Sequence, residues 1–214
     1  MRRKEPEVHK KIVFVDFDGT VTTEDTLAGA LKMTVTAEEY RARHADLLAG
    51  RVTLSGVLRE AFEKAPSARV DDFVEYAAST TIREGFSEFL DAMREKRIPV
   101  VILSGGLRPM LEARLGPYLD RIHSVHCVDV DLSGPTIRLV SPYDDGNELL
   151  NKSAVMATYD YGTSICVGDS HSDVSMARAS DVVFARDYLA EYLQKAGVGF
   201  TRWNDFNDVA SKLR

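Results

Sequence analysis

Short apolar runs at 12–15, 100–103, 122–126, 164–167 and 182–185 alternate along the chain with amphipathic stretches of helical period. Most of these runs are β-branched or apolar throughout, the composition required of strands covered on both faces. Helical spacing of apolar residues follows at 85–96, 109–115, 152–159, 173–178, 187–196 and 205–213. Strand and helix in turn predict an α/β chain built on a parallel sheet. The alternation fails once. Between 24 and 78 there is no strand signal, and apolar residues recur at helical spacing: Leu27, Ala30 and Leu31, then Leu47 and Leu48, then Val57, Leu58 and Phe62, then Phe73, Val74 and Ala77. Gly50 and Pro66 punctuate these helices. The stretch reads as a small helical domain inserted between the first two strands. A second irregular piece sets Ser133-Gly134-Pro135 between 128–132 and 136–140, which predicts a hairpin.

A length of 214 residues suits one domain carrying a modest insertion. Apolar residues at 44% and charged residues at 28% supply a sizeable core and exclude disordered, collagen-like and coiled-coil chains. Twenty-seven Lys and Arg against 33 Asp and Glu leave a net charge of −6, which argues against nucleic acid as a partner. Cys127 and Cys166 are too few for a disulfide framework and fit a reducing compartment. The longest apolar run, 98–103, is too short to span a membrane. Arg2, Arg3 and Lys4 precede an apolar run that stops at Asp16, too short for a secretion signal. A cytoplasmic protein with no membrane partner is expected.

Three of the predicted strands end in polar clusters: Asp16-Phe17-Asp18-Gly19-Thr20, Ser104-Gly105-Gly106, and Gly168-Asp169-Ser170-His171-Ser172-Asp173. Ligands of an open parallel sheet sit beyond the carboxyl ends of its strands, so neighbouring strands would bring these clusters to one site. Asp16, Asp18, Asp169 and Asp173 would repel one another there unless a cation held them. Oxygen ligands without a His or Cys partner suit Mg²⁺ rather than zinc. Ser104-Gly105-Gly106-Leu107 reads as a turn into a helix with Pro109 in its first turn, where bare N–H groups would cradle an anion. Lys152, near a predicted helix start, would neutralise charge on a nucleophile and on transferring oxygens. A cation, an anion cradle and a spare carboxylate describe phosphoryl chemistry.

Taken singly, these residues have plainer explanations. Asp173 and Asp187 suit helix N-caps, and Lys152 is one of 27 Lys and Arg residues, most of which belong on the surface. His123, His126 and Cys127 lack a second ligand pair and read as strand and hairpin packing rather than a zinc site. Cys166 reads as a buried small hydrophobe, and His171 either touches substrate or is solvated. What points to function is the three clusters in order, each directly after a strand.

At these residues the chain resembles the haloacid dehalogenase-like superfamily of aspartate-nucleophile phosphatases over nearly its whole length. Asp16-Phe17-Asp18-Gly19-Thr20 matches the first motif, Ser104 the second, Lys152 the third, and Asp169 with Asp173 the fourth. The resemblance implies a three-layer Rossmann-like core from 1–22 and 79–214, with 23–78 as a type-1 helical cap. It implies that Asp16 attacks phosphorus and becomes an aspartyl-phosphate, while Asp18 protonates the leaving alcohol and then activates water. Mg²⁺ would be held by Asp16, the Asp18 backbone carbonyl and Asp169, with Asp173 supporting them from behind. Ser104, Gly105, Gly106 and Lys152 would hold the phosphoryl oxygens. Splitting a slow hydrolysis into two covalent steps requires an acid/base separate from the nucleophile, and Asp18 is one.

Ile82-Arg83-Glu84-Gly85-Phe86, Leu103-Ser104-Gly105-Gly106 and Phe184-Ala185-Arg186-Asp187-Tyr188-Leu189 are similar to the methionine-salvage phosphatases. These act on 2-hydroxy-3-keto-5-methylthiopentenyl-1-phosphate and are close to the phosphoserine phosphatases. The phosphoserine group typically carries Glu nine positions after the nucleophile, where this chain has Asp25, as in the salvage group. The resemblance thus implies a small phosphorylated metabolite as substrate, met from the cap by Asp25. Phosphoserine, or a broader set of esters hydrolysed or transferred, is the alternative. A monomer and a homodimer both remain open. A phospho-acceptor or scaffold, the competing class, has no use for Asp18 as acid/base or for a helical insert.

Overall fold

The computed structural model describes residues 8–213. Arg2, Arg3 and Lys4 lie outside the described residues. A seven-stranded sheet forms the centre, built from β1 (His9–Asp16), β2 (Val100–Leu107), β3 (Ser124–Asp131), β4 (Arg138–Val140), β5 (Tyr161–Gly168), β6 (Val182–Ala185) and β7 (Thr201–Arg202), in the order β4-β3-β2-β1-β5-β6-β7. Every pairing is parallel except β3 with β4. β1 is central: Asp16 lies in register with Leu103 on one side and Val15 with Val167 on the other. The three polar clusters therefore emerge side by side at the carboxyl edge, where an open parallel sheet places its ligands.

Helices cover both faces because alternate residues of each strand point opposite ways. Val13 and Val15 join Phe86, Phe89, Leu90 and Met93 of α5 (Phe86–Glu95) and Phe206 and Val209 of α10 (Phe206–Lys212). Ile12 and Phe14 turn to the opposite layer of α7 (Lys152–Met156), α8 (Val174–Arg178) and α9 (Asp187–Lys195). Each such fully buried side chain contributes roughly 1.5–3 kcal/mol by leaving water. Cys166 is a fully buried member of the second layer.

The helical insertion comprises α1 (Thr26–Lys32), α2 (Ala37–Leu48), α3 (Leu54–Phe62) and α4 (Val70–Ser79). Its apolar centre continues into Met110 of α6 (Arg108–Leu115) and into Val128, Ile137 and Leu139 of the β3–β4 hairpin. Two adjacent crossings join it to the sheet, through a bridge between Thr22 and Ile82. α2 stands apart in having no buried residue. Leu48, placed on an inward face by its spacing, is 73% exposed.

Other departures are local. β2 runs on through Ser104, Gly105 and Gly106 to Leu107 instead of turning, with a shift of register against β3 after Leu103; the glycines let the strand bulge without a side-chain clash. α7 stops at Met156, short of Tyr159. β7, two residues long, carries too short a pattern to be read in advance. No helix among the described residues is long and apolar enough to cross a membrane.

Candidate active site

The site grows from the turn after β1. Phe17–Val21 forms one wide turn in which Gly19 takes φ +78°. A Cβ at Gly19 would stand 2.5 Å from Asp169 Oδ2, so glycine is required both for the backbone angle and for the close approach of the two loops. Across that approach Thr20 Oγ1 donates to Asp169 Oδ1 at 2.7 Å.

Asp16, Asp169 and Asp173 bring carboxylate oxygens within 4.8 Å of one another. Lys152, 1% exposed, places its ammonium 2.5 Å from Asp16 Oδ1 and 2.6 Å from Asp173 Oδ1. Asn151 caps α7 with its side chain, which fixes the backbone that carries this lysine. Both oxygens of Asp173 are committed: Oδ1 to Lys152, and Oδ2 to the Asp169 and Ser170 N–H groups at 2.9 Å each. Asp16 Oδ2 is different, being buried without a hydrogen-bond partner. Such an atom costs free energy unless something occupies its lone pairs. Three carboxylates and one ammonium also leave two negative charges in a buried space, the deficit that one divalent cation cancels. The residues present fit a hard metal ion. Burial, and then the charge of Asp173, push the Asp169 carboxyl up to about 7; the same two causes raise Asp16. Burial would by itself lower Lys152, but Asp16 and Asp173 more than offset it and raise it.

Asp18 turns away from this cluster, toward the helical insertion. Its carboxylate accepts from Thr26 Oγ1, from the Leu27 N–H at 3.1 Å, and from Ser104 Oγ at 2.8 Å. Ser104 in turn accepts from the Gly106 N–H at 2.8 Å. The serine read as a phosphate ligand is therefore hydrogen-bonded to the carboxylate read as the acid/base. Of the two glycines, Gly105 lines the open cavity.

That cavity, of about 740 Å³, opens between the carboxylates and the insertion. Asp16, Asp18 and Lys152 stand at its floor, and Leu27, Leu31, Leu54, Val57 and Leu58 form an apolar wall, with Tyr40, Arg43 and His44 of α2 at its rim. Asp25 lines the cavity and also caps α1, accepting from the Ala28 N–H at 2.7 Å. His171 lines it too, beside Tyr188 at 5.6 Å between ring centroids. His126, on β3, packs against Tyr143 and Tyr159, with Nε2 2.7 Å from Tyr159 Oη, strand packing as expected but toward the α7 layer and not the hairpin.

Residues unreadable in advance complete the site. Thr26 and the Leu27 N–H orient Asp18, and no local pattern announces either. Glu148, half-buried in the cavity wall, is pushed up to about 7 by burial against the opposing charge of Lys152. Thr20, within the first motif, was the only one with a signal.

Residues 13–178 match the model of the haloacid dehalogenase-like hydrolases. The chain belongs to that family. It is 37% identical over 206 residues to a 2-hydroxy-3-keto-5-methylthiopentenyl-1-phosphate phosphatase of Microcystis aeruginosa, covering 95% of this chain and 97% of the relative. A protein of the same name from Geobacillus kaustophilus is 31% identical over 216 residues, with 95% of each chain covered. Among solved structures, a phospho-aspartyl intermediate analogue of phosphoserine phosphatase superposes with a TM-score of 0.67 over 97% of this chain and 100% of that one, at 15% identity. The shared fold is the α/β core with its helical insertion, and the family member described here is a phosphatase.

Proposed function

We propose that this phosphatase hydrolyses 2-hydroxy-3-keto-5-methylthiopentenyl-1-phosphate, the substrate of methionine salvage, in the cytoplasm through an aspartyl-phosphate on Asp16. The observation that carries the mechanism is Asp16 itself, with one oxygen held by Lys152 and the other buried without a partner beside the cavity. Asp16, the Asp18 backbone carbonyl and Asp169 would hold Mg²⁺, with Asp173 bracing Lys152 and the Asp169 loop. Bound there, the ion supplies positive charge to the phosphoryl oxygens and to the nucleophile.

The chain's own groups do the rest. Lys152 favours the ionised form of Asp16 against burial and Asp173 and holds it in place, so that its oxygen can attack phosphorus in line with the leaving oxygen. The P–O bond to carbon C1 breaks, and Asp18, protonated at this stage, gives its proton to the departing oxygen. Ser104 leaves Asp18 for a phosphoryl oxygen, assisted by the Gly105 and Gly106 backbone. Asp18, now ionised, takes a proton from water as that water attacks phosphorus, and inorganic phosphate leaves Asp16 free. Residues 23–78 act as the cap over 1–22 and 79–214.

The apolar wall supports the substrate choice. A methylthioalkyl tail gains by burial against Leu27, Leu54 and Val57, whereas the ammonium and carboxylate of phosphoserine would lose hydration there. The test is phosphate release across a panel of monoesters, including this ester and phosphoserine, with and without Mg²⁺, beside Asp16→Asn. Mg²⁺-dependent turnover of the salvage ester, lost in Asp16→Asn, is expected. Faster turnover of phosphoserine would overturn the substrate, and turnover by Asp16→Asn the nucleophile.

A further inference from the structure

Two motifs that set this chain beside the salvage phosphatases, Ile82-Arg83-Glu84-Gly85-Phe86 and Phe184-Ala185-Arg186-Asp187-Tyr188-Leu189, have no part in the chemistry above. They meet behind it. The guanidinium of Arg83 lies 5.4 Å from the Trp203 ring and that of Arg186 5.3 Å from the same ring, which is 2% exposed. Two cations over one indole repel each other, and Arg83 is held below its ordinary range by burial and then by Arg186.

Arg83 makes no salt bridge among the described residues; its fork is spent on carbonyls of the first-motif turn. Nε donates to Thr20 O at 2.8 Å, and Nη2 to Gly19 O at 2.5 Å and Thr22 O at 3.3 Å. Its own N–H donates to Val21 O at 2.8 Å. The fourth-motif loop is held from the same place. Trp203 Nε1 and the Arg186 N–H both donate to Gly168 O at 3.3 Å. Arg186 is fixed in turn by Asn204 O at 2.8 Å.

We propose that Arg83, Trp203 and Arg186 are positioning residues that set the spacing between the Asp16–Asp18 turn and the Asp169 loop, and with it the affinity of the site for its divalent cation. The proposal rests on the metal reading given under Proposed function. Arg83 fixes the carbonyls next to that of Asp18, while Trp203 and Arg186 fix the carbonyl next to Asp169. None of the three lines the cavity. Arg83 also stands beside the crossing between Thr22 and Ile82, so the placement of the insertion and of the cation site share one anchor.

The full chain is compared as wild type, Arg83→Met, Arg83→Lys and Trp203→Phe, by the Mg²⁺ concentration that half-saturates the rise in melting temperature and, separately, the rate of phosphate release. Arg83→Met is expected to need about tenfold more Mg²⁺ by both readouts, as when groups behind metal ligands are removed. KM for the ester at saturating Mg²⁺ stays within about twofold, since substrate contacts are untouched. Arg83→Lys, which keeps the charge but not the fork, falls between. Trp203→Phe, which keeps an aromatic face but neither the N–H nor the full indole, shifts the Mg²⁺ requirement the same way, and stands in should Arg83→Met not fold. Wild-type Mg²⁺ requirements in the folded variants overturn the brace, whatever happens to kcat. A wild type that is stabilised by Mg²⁺ but leaves the ester intact defeats the substrate reading alone; one whose melting ignores Mg²⁺ overturns the brace with the metal reading.

Discussion

Asp16, Lys152 and Asp173 are stable only as a set, because each is almost wholly withdrawn from water. Lys152→Ala leaves two buried carboxylates facing each other, a loss on the order of 3–5 kcal/mol for a broken buried pair. The Asp16 carboxyl, raised already by burial, escapes that cost by taking up a proton. A carboxyl whose folded pKa is raised adds stability at low pH and loses it as pH rises through that value. Urea midpoints should therefore show Lys152→Ala far below wild type in alkaline, metal-free buffer and closer to it in acid; equal midpoints at high pH would remove the lysine's structural role. Proton and metal compete in the same way for Asp169, whose carboxyl sits at about 7 without a cation. The rise in melting temperature at fixed Mg²⁺ should grow as pH rises through about 7, because below that value binding must displace a proton from Asp169. A rise independent of pH would mean that the ion binds elsewhere. The acidic residues were legible from motif order, whereas Lys152 was singled out only by the family resemblance. That Ser104 bonds to Asp18 was not, since it depends on a bulge that brings a strand residue against a turn 86 positions away in sequence.

At the scale of elements, apolar runs located β1, β5 and β6 with no rival pattern, though β1 and β5 extend past 12–15 and 164–167 at both ends. β2 was read short because Ser104-Gly105-Gly106 looks like a turn, and only its neighbours β1 and β3 keep it extended. α2 was read as helical from the spacing of Leu47 and Leu48, which misled, while Thr36 and Glu39, which cap each other reciprocally at its start, played no part in that reading. Leu47 and Leu48 line the cavity instead of a core, and Tyr40 alone of the helix packs against the insertion's apolar centre. The helix is fastened across to α3 chiefly by Arg43 and Glu60, a pair about one-third exposed, and such pairs are worth at most about 1 kcal/mol. α3 and α4 bury Val57, Leu58, Phe62, Phe73 and Ala77. Opening free energy follows buried contact, so amides of α2 should exchange with deuterium well before those of α3 and α4. Equal protection across the insertion would show that α2 is held by more than its ion pair.

Over the whole molecule the division of labour is spatial. The sheet edge holds the carboxylates and Lys152, and the insertion supplies most of the apolar wall that faces them across the cavity. Periodicity could not separate these roles within the insertion, because a helix face turned to a cavity and one turned to a core have the same spacing. The insertion also shares its apolar centre with α6 and the β3–β4 hairpin, which gives the cavity wall a fixed backing on the sheet. Leu54 is half-buried at the first turn of α3 and lines the cavity without belonging to that fully buried centre. Leu54→Ser should thus leave the fold standing and weaken only what the wall receives. If the methylthio tail lies there, kcat/KM for the salvage ester falls about tenfold, the size expected when an apolar contact in a pocket is removed. Acetyl phosphate has no tail to place, so its kcat/KM should change by less than about twofold. Equal losses on both compounds would mean that Leu54 supports the phosphate end, and would move the tail to the opposite side of the cavity, against His171 and Tyr188.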